Sequence, residues 1–455
     1  MHRIAGAMTA ALLVSLSGAT TARLASASEI ATPLDVGALL VAAQGAPRLI
    51  CALAAQSIRN SGWNDWNDAP YAPLSRIAFD RIRDGSASSP FAQGDVDRLL
   101  DALASPDACV RELSVRLLGT QRAQGTIVSS LVERLASTNA SMREVATFGL
   151  GLLAPAKTVD PLIAALRDAT PRVRANAAWA LGRMNDGRAL GALVARFRDD
   201  DATVREAAVV SAGRIDSAST TAALMRVLQQ DDSPAVRRVA AWALGQHRVQ
   251  EAAEVLTTAL AKDTDARVRE MVAWAIGESG VRGASTALVT ALRRDSDDRV
   301  RETAAWALGE GEDRSTIDAL GTAAVDDRST RVRGTAAWAI GQLHNNGIAA
   351  PAGLIRSLSD ENSDTRLKAA WALGQIGDAG TVDAIRDALK AEQNSQVQRA
   401  LVRAVIKAGG RSEETLTRLL SSSDASVREA AVRGLAGNNS FNPWPWPWPR
   451  PRPFP

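Results

Sequence analysis

The stretch VAAWALG, residues 239–245, has close copies through much of the chain. Each copy belongs to a longer pattern, VRxxAAxALG, whose first residue is a hydrophobic anchor and which recurs at steps of 30 to 33 residues. The anchors are Val110, Met142, Val173, Val204, Val236, Val268, Val300, Val332, Thr365, Val397 and Val427. So constant a period indicates a tandem array, in which neighbouring repeats bury the apolar surface that one repeat exposes.

Each repeat is predicted to contain two helices. An apolar pattern with helical spacing, such as TVDPLIAALRD, precedes the anchors. A residue of N-cap type stands three positions before every anchor, and Pro171 and Pro234 follow where a missing N–H costs nothing. Nine repeats carry a glycine nine positions after the anchor, from Gly119 to Gly374, where we expect a left-handed C-terminal cap. The sequence therefore predicts an all-α fold, an α-solenoid of about eleven two-helix repeats.

The repeat motifs resemble those of a known family. VRRVAAWALGQ, VRETAAWALGE and VRGTAAWAIGQ are similar to HEAT-like repeats of the kind first described in phycobilisome bilin lyases. The resemblance covers residues 95–437 and implies a solenoid that serves mostly as a binding scaffold and only rarely as an enzyme. A bilin-lyase-like enzyme is one alternative, although the sequence discloses no tetrapyrrole pocket.

The N-terminal part of the chain lies outside the array. Residues 1–27 have a basic start, a short apolar run and a small-residue site, which predict a signal peptide and export to the periplasm or the extracellular space. An uncleaved anchor is the alternative. Residues 28–94 are expected to form a helical cap, with helices around Leu34–Ala43 and Leu49–Ile58, followed by the Trp/Asn/Asp loop SGWNDWNDAPYAP.

The C-terminal residues 438–455 form a Pro/Trp/Arg-rich tail. Repeated proline excludes a helix or a central strand, so we expect an extended segment. The tail resembles Trp/Pro/Arg-rich antimicrobial peptides, which leaves open an envelope-associated protein whose tail binds a membrane surface or a glycan while the array is a spacer. Its candidate binding residues are Trp444, Trp446, Trp448, Arg450 and Arg452.

The chain has two cysteines, Cys51 and Cys109. In an oxidising compartment they form either a disulfide that ties the N-terminal segment to the array or two buried thiols. Spacing does not decide between the two.

Composition argues against several classes of function. Lysine and arginine number 53 against 50 acidic residues, so the sequence predicts no nucleic-acid partner. Three histidines and the lack of HExxH, CxxC, phosphate-loop and nucleophile-elbow motifs predict no catalytic residue, no metal and no cofactor. We therefore interpret the protein as a non-catalytic scaffold.

A tryptophan stands six positions after the anchor in six repeats: Trp179, Trp242, Trp274, Trp306, Trp338 and Trp371. On a helical wheel the anchor and the positions +3, +4, +7 and +8 form the core stripe, whereas +6 falls at about 240°. This placement predicts that the indoles lie on the rim or the open face of the array. The alternative is that the rings are structural and pack between neighbouring repeats.

Polar residues share the predicted face with the tryptophans. A tryptophan followed four residues later by an amide resembles the Trp and Asn ladder with which armadillo-type solenoids hold an extended peptide. The resemblance implies a protein or extended-peptide partner on the concave face, and the protein's own tail is one candidate, with Arg450 and Arg452 meeting Glu270 and Glu302. Besides the six tryptophans, the predicted site residues are Gln246, Gln342, Gln375, Glu206, Glu270 and Glu302.

Arginine at position +1 recurs in ten of the eleven repeats. It falls on the flank opposite the tryptophan, at about 100° on the wheel. We expect a ladder in which each arginine reaches the cap carboxylate or a carbonyl of the neighbouring repeat.

Overall fold

The computed structural model describes residues 35–47, 91–121, 125–215, 218–281, 283–311, 313–343 and 349–409, together with a few positions after residue 416. Every regular element in these ranges is a helix, which confirms the predicted all-α fold. The chain divides into two compact units, unit 1 up to Asp216 and unit 2 from Ser217.

The described residues of unit 1 form one N-terminal helix and four helix pairs. These helices are α1 (Val36–Ala43), α2 (Gln93–Ala102), α3 (Ala108–Gly119), α4 (Gly125–Arg134), α5 (Ala140–Leu153), α6 (Val159–Ala165), α7 (Pro171–Met184), α8 (Leu190–Ala195) and α9 (Ala202–Arg214).

Unit 2 continues the same pattern with six described pairs. These helices are α10 (Thr221–Gln230), α11 (Pro234–Gln246), α12 (Ala253–Lys262), α13 (Ala266–Ser279), α14 (Ser285–Arg294), α15 (Asp298–Glu310), α16 (Ile317–Asp326), α17 (Thr330–Gln342), α18 (Ala352–Arg356), α19 (Ser363–Ile376), α20 (Val382–Ala391) and α21 (Ser395–Lys407).

The second helix of each pair packs side by side with the second helices of its neighbours. In unit 1 the order is α3, α5, α7, α9, and in unit 2 it is α11, α13, α15, α17, α19, α21. Nine of the ten described anchors are buried beneath the first helices, and Met142 is half-buried. Within each unit the second helices therefore form one continuous layer, and burial of their apolar side chains stabilises each repeat against the next.

The N-caps agree with the sequence. All ten described second helices begin directly after the predicted cap residue, and the side chain of Asp265, for example, accepts hydrogen bonds from the N–H groups of Arg267 and Val268. The caps are Asp107, Asn139, Thr170, Asp201, Ser233, Asp265, Asp297, Ser329, Asn362 and Asn394; the eleventh predicted cap, Asp424, lies outside the described residues. Pro171 and Pro234 occupy the first helical turn as predicted.

The arginine ladder exists, but the cap carboxylate is the wrong acceptor. Arg269 places Nε 2.7 Å and Nη2 2.9 Å from the two carboxylate oxygens of Asp295, which precedes the next cap by two residues. Its Nη1 donates to the carbonyl of Asp263 in its own repeat at 2.9 Å. The carboxylate of Asp295 also accepts the backbone N–H of the cap residue Asp297. The cap side chain is occupied by its own helix, so the ladder uses the carboxylate next to it.

The N-terminal helix α1 packs on the first repeat, whereas the helical cap over residues 28–94 stays a prediction. Ala43 lies in a small cluster with Cys109 and Leu113, and the backbone N–H of Gly45 donates to the carboxylate of Asp107 at 2.8 Å. Cys109 is disulfide-bonded. Cys51 and the predicted second cap helix lie outside the described residues, so the Cys51–Cys109 pairing stays a prediction.

Candidate functional site

We use the term second-helix face for the side chains two, six and ten positions after each anchor. The prediction that the +6 indoles lie on a rim or an open face is wrong for four of the six. Trp179 is 6% exposed, Trp274 4%, Trp306 3% and Trp338 1%. The helical wheel identified only one apolar stripe on each second helix. Inside a stack, the neighbouring second helices also cover the flanks of that helix, so residues off the stripe become buried.

The glycine at position +9 explains how the rings are accommodated. It contacts the tryptophan of the following repeat: a Cβ built on Gly341 would lie 2.4 Å from Cζ3 of Trp371, and one on Gly277 would lie 2.7 Å from Cζ3 of Trp306. No real Cβ tolerates such distances. The pairs are Gly151–Trp179, Gly245–Trp274, Gly277–Trp306, Gly309–Trp338 and Gly341–Trp371. We call the contact surface between two adjacent second helices a seam. The glycine of one repeat and the tryptophan of the next therefore pack against each other in the seam.

These glycines are not C-terminal caps, which corrects the expectation from their position. None of the +9 glycines has a left-handed backbone, and the helices continue past them except for α3, which ends at Gly119. Left-handed backbone occurs at position +12 instead, for example at Gly280 with a φ of 57° and Gly377 with a φ of 65°. In three other repeats the same position is a left-handed non-glycine residue: Ala154, Asn185 and Arg248.

Two of the predicted site tryptophans remain partly accessible, and both belong to unit 2. Trp242 and Trp371 are half-buried, and the amides that follow them four residues later, Gln246 and Gln375, are exposed. Gln342, which follows the buried Trp338, is half-buried. The structure therefore leaves a partly accessible indole one helical turn from an exposed amide at two repeats of the predicted ladder.

The glutamates at position +2 lie deeper than expected. Glu206 in unit 1 is buried, and Glu270 and Glu302 in unit 2 are half-buried. Burial raises the pKa of both unit 2 carboxyls, and the negative charges of Asp297 and Glu302 raise the pKa of Glu270 further. Arg331 lies 3.5 Å from Glu302 and 2.9 Å from Asp298, so Glu302 already has a cationic neighbour.

Unit 1 places a different set of residues at the same positions. Phe148 and Trp179 are stacked, with ring centroids 5.2 Å apart and an interplanar angle of 24°. Arg116 lies 5.4 Å over the Phe148 ring, and Arg183 lies 5.4 Å over the Trp179 ring. Sequence reasoning missed this row because it followed only tryptophan at +6. Phe148 and Arg116 occupy the +6 position of earlier repeats and Arg183 the +10 position, so aligning all three rows would have found them.

Several predicted residues lie outside the described part of the chain. They are the tail residues Trp444, Trp446, Trp448, Arg450 and Arg452, and the loop aromatics Trp63, Trp66 and Tyr71. Among the described residues, no group of three His, Cys, Asp or Glu side chains could hold a metal ion. No helix within the described ranges is both long enough and apolar enough to span a membrane.

Three solved structures are similar to this chain at low identity. An engineered protein shares 22% identity, with 75% of this chain and 98% of the other covered and a TM-score of 0.39. Human deoxyhypusine hydroxylase in complex with glycerol shares 22%, with 55% and 96% covered and a TM-score of 0.26. Kap121p shares 15%, with 89% and 48% covered and a TM-score of 0.48, so this chain spans about half of its length.

None of the curated proteins matches the sequence. The family model described as HEAT repeats does match, at residues 128–213, 192–277, 221–309, 285–352 and 317–406. These matches together cover more than half of the chain. The chain belongs to the HEAT-repeat family.

Proposed function

We propose that this protein is an exported, non-catalytic scaffold that binds a protein or an extended peptide on the second-helix face of unit 2. HEAT-repeat solenoids in general bind proteins, because stacked repeats offer a long continuous surface with a constant spacing of side chains. Specific recognition then depends on the residues that each repeat places on that surface.

The observation that carries the proposal is the pairing of Trp242 with Gln246 and of Trp371 with Gln375. In each pair a half-buried indole lies one helical turn from an exposed amide. An indole edge can cover an apolar peptide side chain, and a primary amide can both donate to and accept from a peptide backbone. The two groups together match the needs of an extended chain, whose backbone hydrogen bonds are unsatisfied.

The charge of this face favours a basic peptide. Glu310 is exposed and Glu278 is half-buried at position +10, and Glu270 and Glu302 lie at position +2. Complementary charge speeds encounter and suppresses wrong partners. The tail of the chain, residues 438–455, carries arginines and no acidic residue, which makes it the first peptide to test.

The binding proposal is tested with a displayed library of extended peptides that includes the tail sequence. Selection on the full-length protein is compared with selection on a Gln246→Ala/Gln375→Ala variant and on Gln230→Ala, which alters an exposed glutamine on the first helix α10. We expect peptides enriched on the wild-type protein and on Gln230→Ala to be lost on the double variant. Enrichment that survives the double variant, or no enrichment at all, contradicts the proposal.

Export is tested separately by N-terminal sequencing of protein recovered outside the cytoplasm. A mature chain that begins at Ser28 supports cleavage after Ala27. Protein retained in the cytoplasm with residues 1–27 intact contradicts it. If deletion of residues 438–455 abolishes all binding, the alternative of a membrane- or glycan-binding tail replaces the scaffold face.

A further inference from the structure

Seven arginines of the ladder at position +1 bind a carboxylate in the same way. In each, Nε and Nη2 donate to the two oxygens of an acidic side chain five positions before the next anchor, at distances of 2.6 to 3.1 Å. The pairs are Arg143–Asp168, Arg174–Asp199, Arg237–Asp263, Arg269–Asp295, Arg301–Asp327, Arg333–Asp360 and Arg366–Glu392. The guanidinium at this position is therefore oriented to take a carboxylate through two parallel hydrogen bonds.

Arg111, at position +1 of the first repeat, has the same orientation but lacks the acidic partner. Its Nη1 donates to the carbonyls of Ser105 and Pro106 at 2.7 and 2.8 Å, which is the contact that Nη1 of Arg269 makes with the turn before its own helix. Ser137 stands where the acidic residue would be. Among the described residues, the buried Nε of Arg111 has no hydrogen-bond partner, and no acidic side chain forms an ion pair with this arginine.

Two carboxyl groups lie near enough to Arg111 to interact with its charge, those of Asp107 and Glu144. The carboxylate of Asp107 accepts backbone N–H groups from Gly45 and from the first turn of α3. Glu144 has its own cationic neighbour, with Oε1 3.8 Å from Nη1 of Arg172. In the described part of the chain neither carboxyl accepts a hydrogen bond from Arg111, so Nε and Nη2 remain available to another acceptor.

Ser137 takes over only one of the two tasks of the ladder carboxylate. Its hydroxyl accepts the backbone N–H of the cap residue Asn139 at 3.2 Å, as the carboxylate of Asp295 does for its own cap. A serine hydroxyl supplies no negative charge to the guanidinium of Arg111. Ser137 is half-buried, and Thr138 and Asn139 beside it are exposed, so the position lies at the surface of the array.

The other end of the array shows a different solution to the same substitution. Ser422 holds the corresponding position in the last repeat, and the residue at position +1 of the repeat before it is Gln398 instead of arginine. The side-chain amide of Gln398 donates to the carbonyl of Glu392 at 2.7 Å. A neutral residue therefore accompanies the serine there, whereas Arg111 keeps a positive charge beside Ser137.

We propose that Arg111, together with Ser137, forms a binding site for a carboxylate group that comes from outside the array, either a small carboxylate anion or the acidic side chain of a polypeptide. A buried donor without an acceptor is costly, and a bound carboxylate removes that cost with a charge-assisted hydrogen bond. Because Nε is enclosed, the ligand has to be narrow, which fits a planar carboxylate better than a tetrahedral phosphate. The site is independent of the unit 2 face.

The test follows the Nε–H magnetic resonance signal of Arg111 in the isotope-labelled full-length protein, while sodium formate replaces sodium chloride at constant total salt. The signal is assigned by its disappearance in Arg111→Lys. We expect a saturable shift with formate. A glycine and aspartate peptide, compared with the matched glycine and asparagine peptide, identifies the source of the carboxylate. Saturation at a concentration about tenfold below that of formate assigns a polypeptide side chain, and weaker binding assigns a small anion.

Ser137→Asp supplies the missing carboxylate from within the array. We expect this variant to shift the Arg111 signal without formate, to abolish the response to formate, and to raise the melting temperature by about 1–3 °C. Ser105→Asp is the matched control, because it places the same acid five positions before the anchor of the first repeat, where no described arginine of an earlier repeat precedes it. It should leave the response to formate unchanged.

Two outcomes overturn the proposal: a signal of Arg111 that does not change when formate replaces chloride, or a formate response that survives Ser137→Asp. Should Ser137→Asp fail to fold, thermal unfolding of Arg111→Gln decides. Stabilisation of the wild type by formate relative to chloride should be lost in Arg111→Gln, and its persistence would contradict the site. Because Gln246 and Gln375 are untouched, failure here leaves the unit 2 proposal standing.

Discussion

Unit 1 and unit 2 are built from the same repeat, yet their second-helix faces differ in chemistry. At position +6 unit 2 carries a tryptophan in five successive repeats, whereas unit 1 carries an arginine, a phenylalanine and one tryptophan before Val210. At position +10 unit 2 has only glutamine and glutamate in those repeats, whereas unit 1 ends with Arg183 and Arg214. Both units retain the packing between adjacent second helices, whereas the polar residues at position +10 differ between them.

The difference shows how a solenoid separates stability from recognition. The rings at +6 are mostly buried against the preceding helix, so replacing them changes packing. The residues at +10 are half-buried or exposed at the repeats that carry Arg183, Arg214, Gln246 and Gln375, so replacing them changes what the surface can bind. The following predictions test this division, beginning with the largest effect.

Trp306→Ala is expected to lower the free energy of unfolding by about 3–5 kcal/mol, the range for removing a buried tryptophan side chain. Trp306 is 3% exposed, and its indole N–H has no hydrogen-bond partner within the described ranges, so packing alone holds the ring. Trp242→Ala is expected to cost less, since that ring is half-buried. Urea unfolding followed by circular dichroism measures both. Equal losses would remove the distinction between seam and surface rings.

Gly341→Ala is expected to destabilise the protein by about 1–3 kcal/mol, as overpacking does, although alanine favours a helix interior by about 1 kcal/mol. Gly374→Ala is the matched variant, because Arg403 replaces the tryptophan in the following repeat and the nearest atom to a new Cβ is 3.3 Å away. It should cost clearly less. Gly191→Ala, on a helix with no atom within 4 Å of the new Cβ, should be neutral or stabilising. Stabilisation by Gly341→Ala would contradict the seam contact.

Asp265→Ala is expected to cost about 1 kcal/mol, because the carboxylate caps two backbone N–H groups of α13. Ser233→Ala provides the comparison, since the Ser233 side chain makes no capping hydrogen bond at the start of α11. Thermal melts of the two variants should separate by a few degrees. Similar melting temperatures would mean that cap chemistry adds little within a packed array.

Glu270→Gln is expected to have the smallest effect on the free energy of unfolding, and that effect should depend on pH. Burial raises the pKa of Glu270 in the folded protein above its ordinary value, so the folded state binds the proton more tightly than the unfolded chain. Glu270 therefore lowers stability progressively as the pH rises from about 4.5 through the folded pKa. The amide removes this loss, so the variant should be slightly more stable at pH 7 and equal to the wild type below pH 4. A greater loss of stability in the variant at pH 7 would contradict the sign.

Local signals in the sequence predicted the fold well. The anchor period, the caps such as Asp265 and the prolines Pro171 and Pro234 act within one helix, so their spacing is sufficient to place helix starts. The seam was not predictable in this way. Whether Trp306 faces solvent depends on the preceding second helix, which packs against it. Gly277 of that helix leaves room for the ring, but its position in its own repeat suggests a C-terminal cap.

The same limit applies to the candidate sites. A wheel of α7 places Arg174 and Arg183 on different faces but does not reveal that one meets Asp199 and the other meets Trp179 and Gly151. Asp199 and Gly151, the hydrogen-bond acceptors of Arg174 and Arg183, each lie about one repeat away in the sequence. An alignment of whole repeats, position by position, is the best way to predict such contacts between repeats from the sequence.

The most direct test of the account is the accessibility of the six repeat tryptophans. The full-length chain with five other tryptophans changed to phenylalanine leaves only these six as reporters; the changed residues are Trp63, Trp66, Trp444, Trp446 and Trp448. We expect blue-shifted emission that acrylamide quenches poorly, with a minor accessible fraction that disappears when Trp242 and Trp371 are also changed. Red-shifted emission, quenched uniformly across all six rings, would contradict the packing of the indoles in the seams.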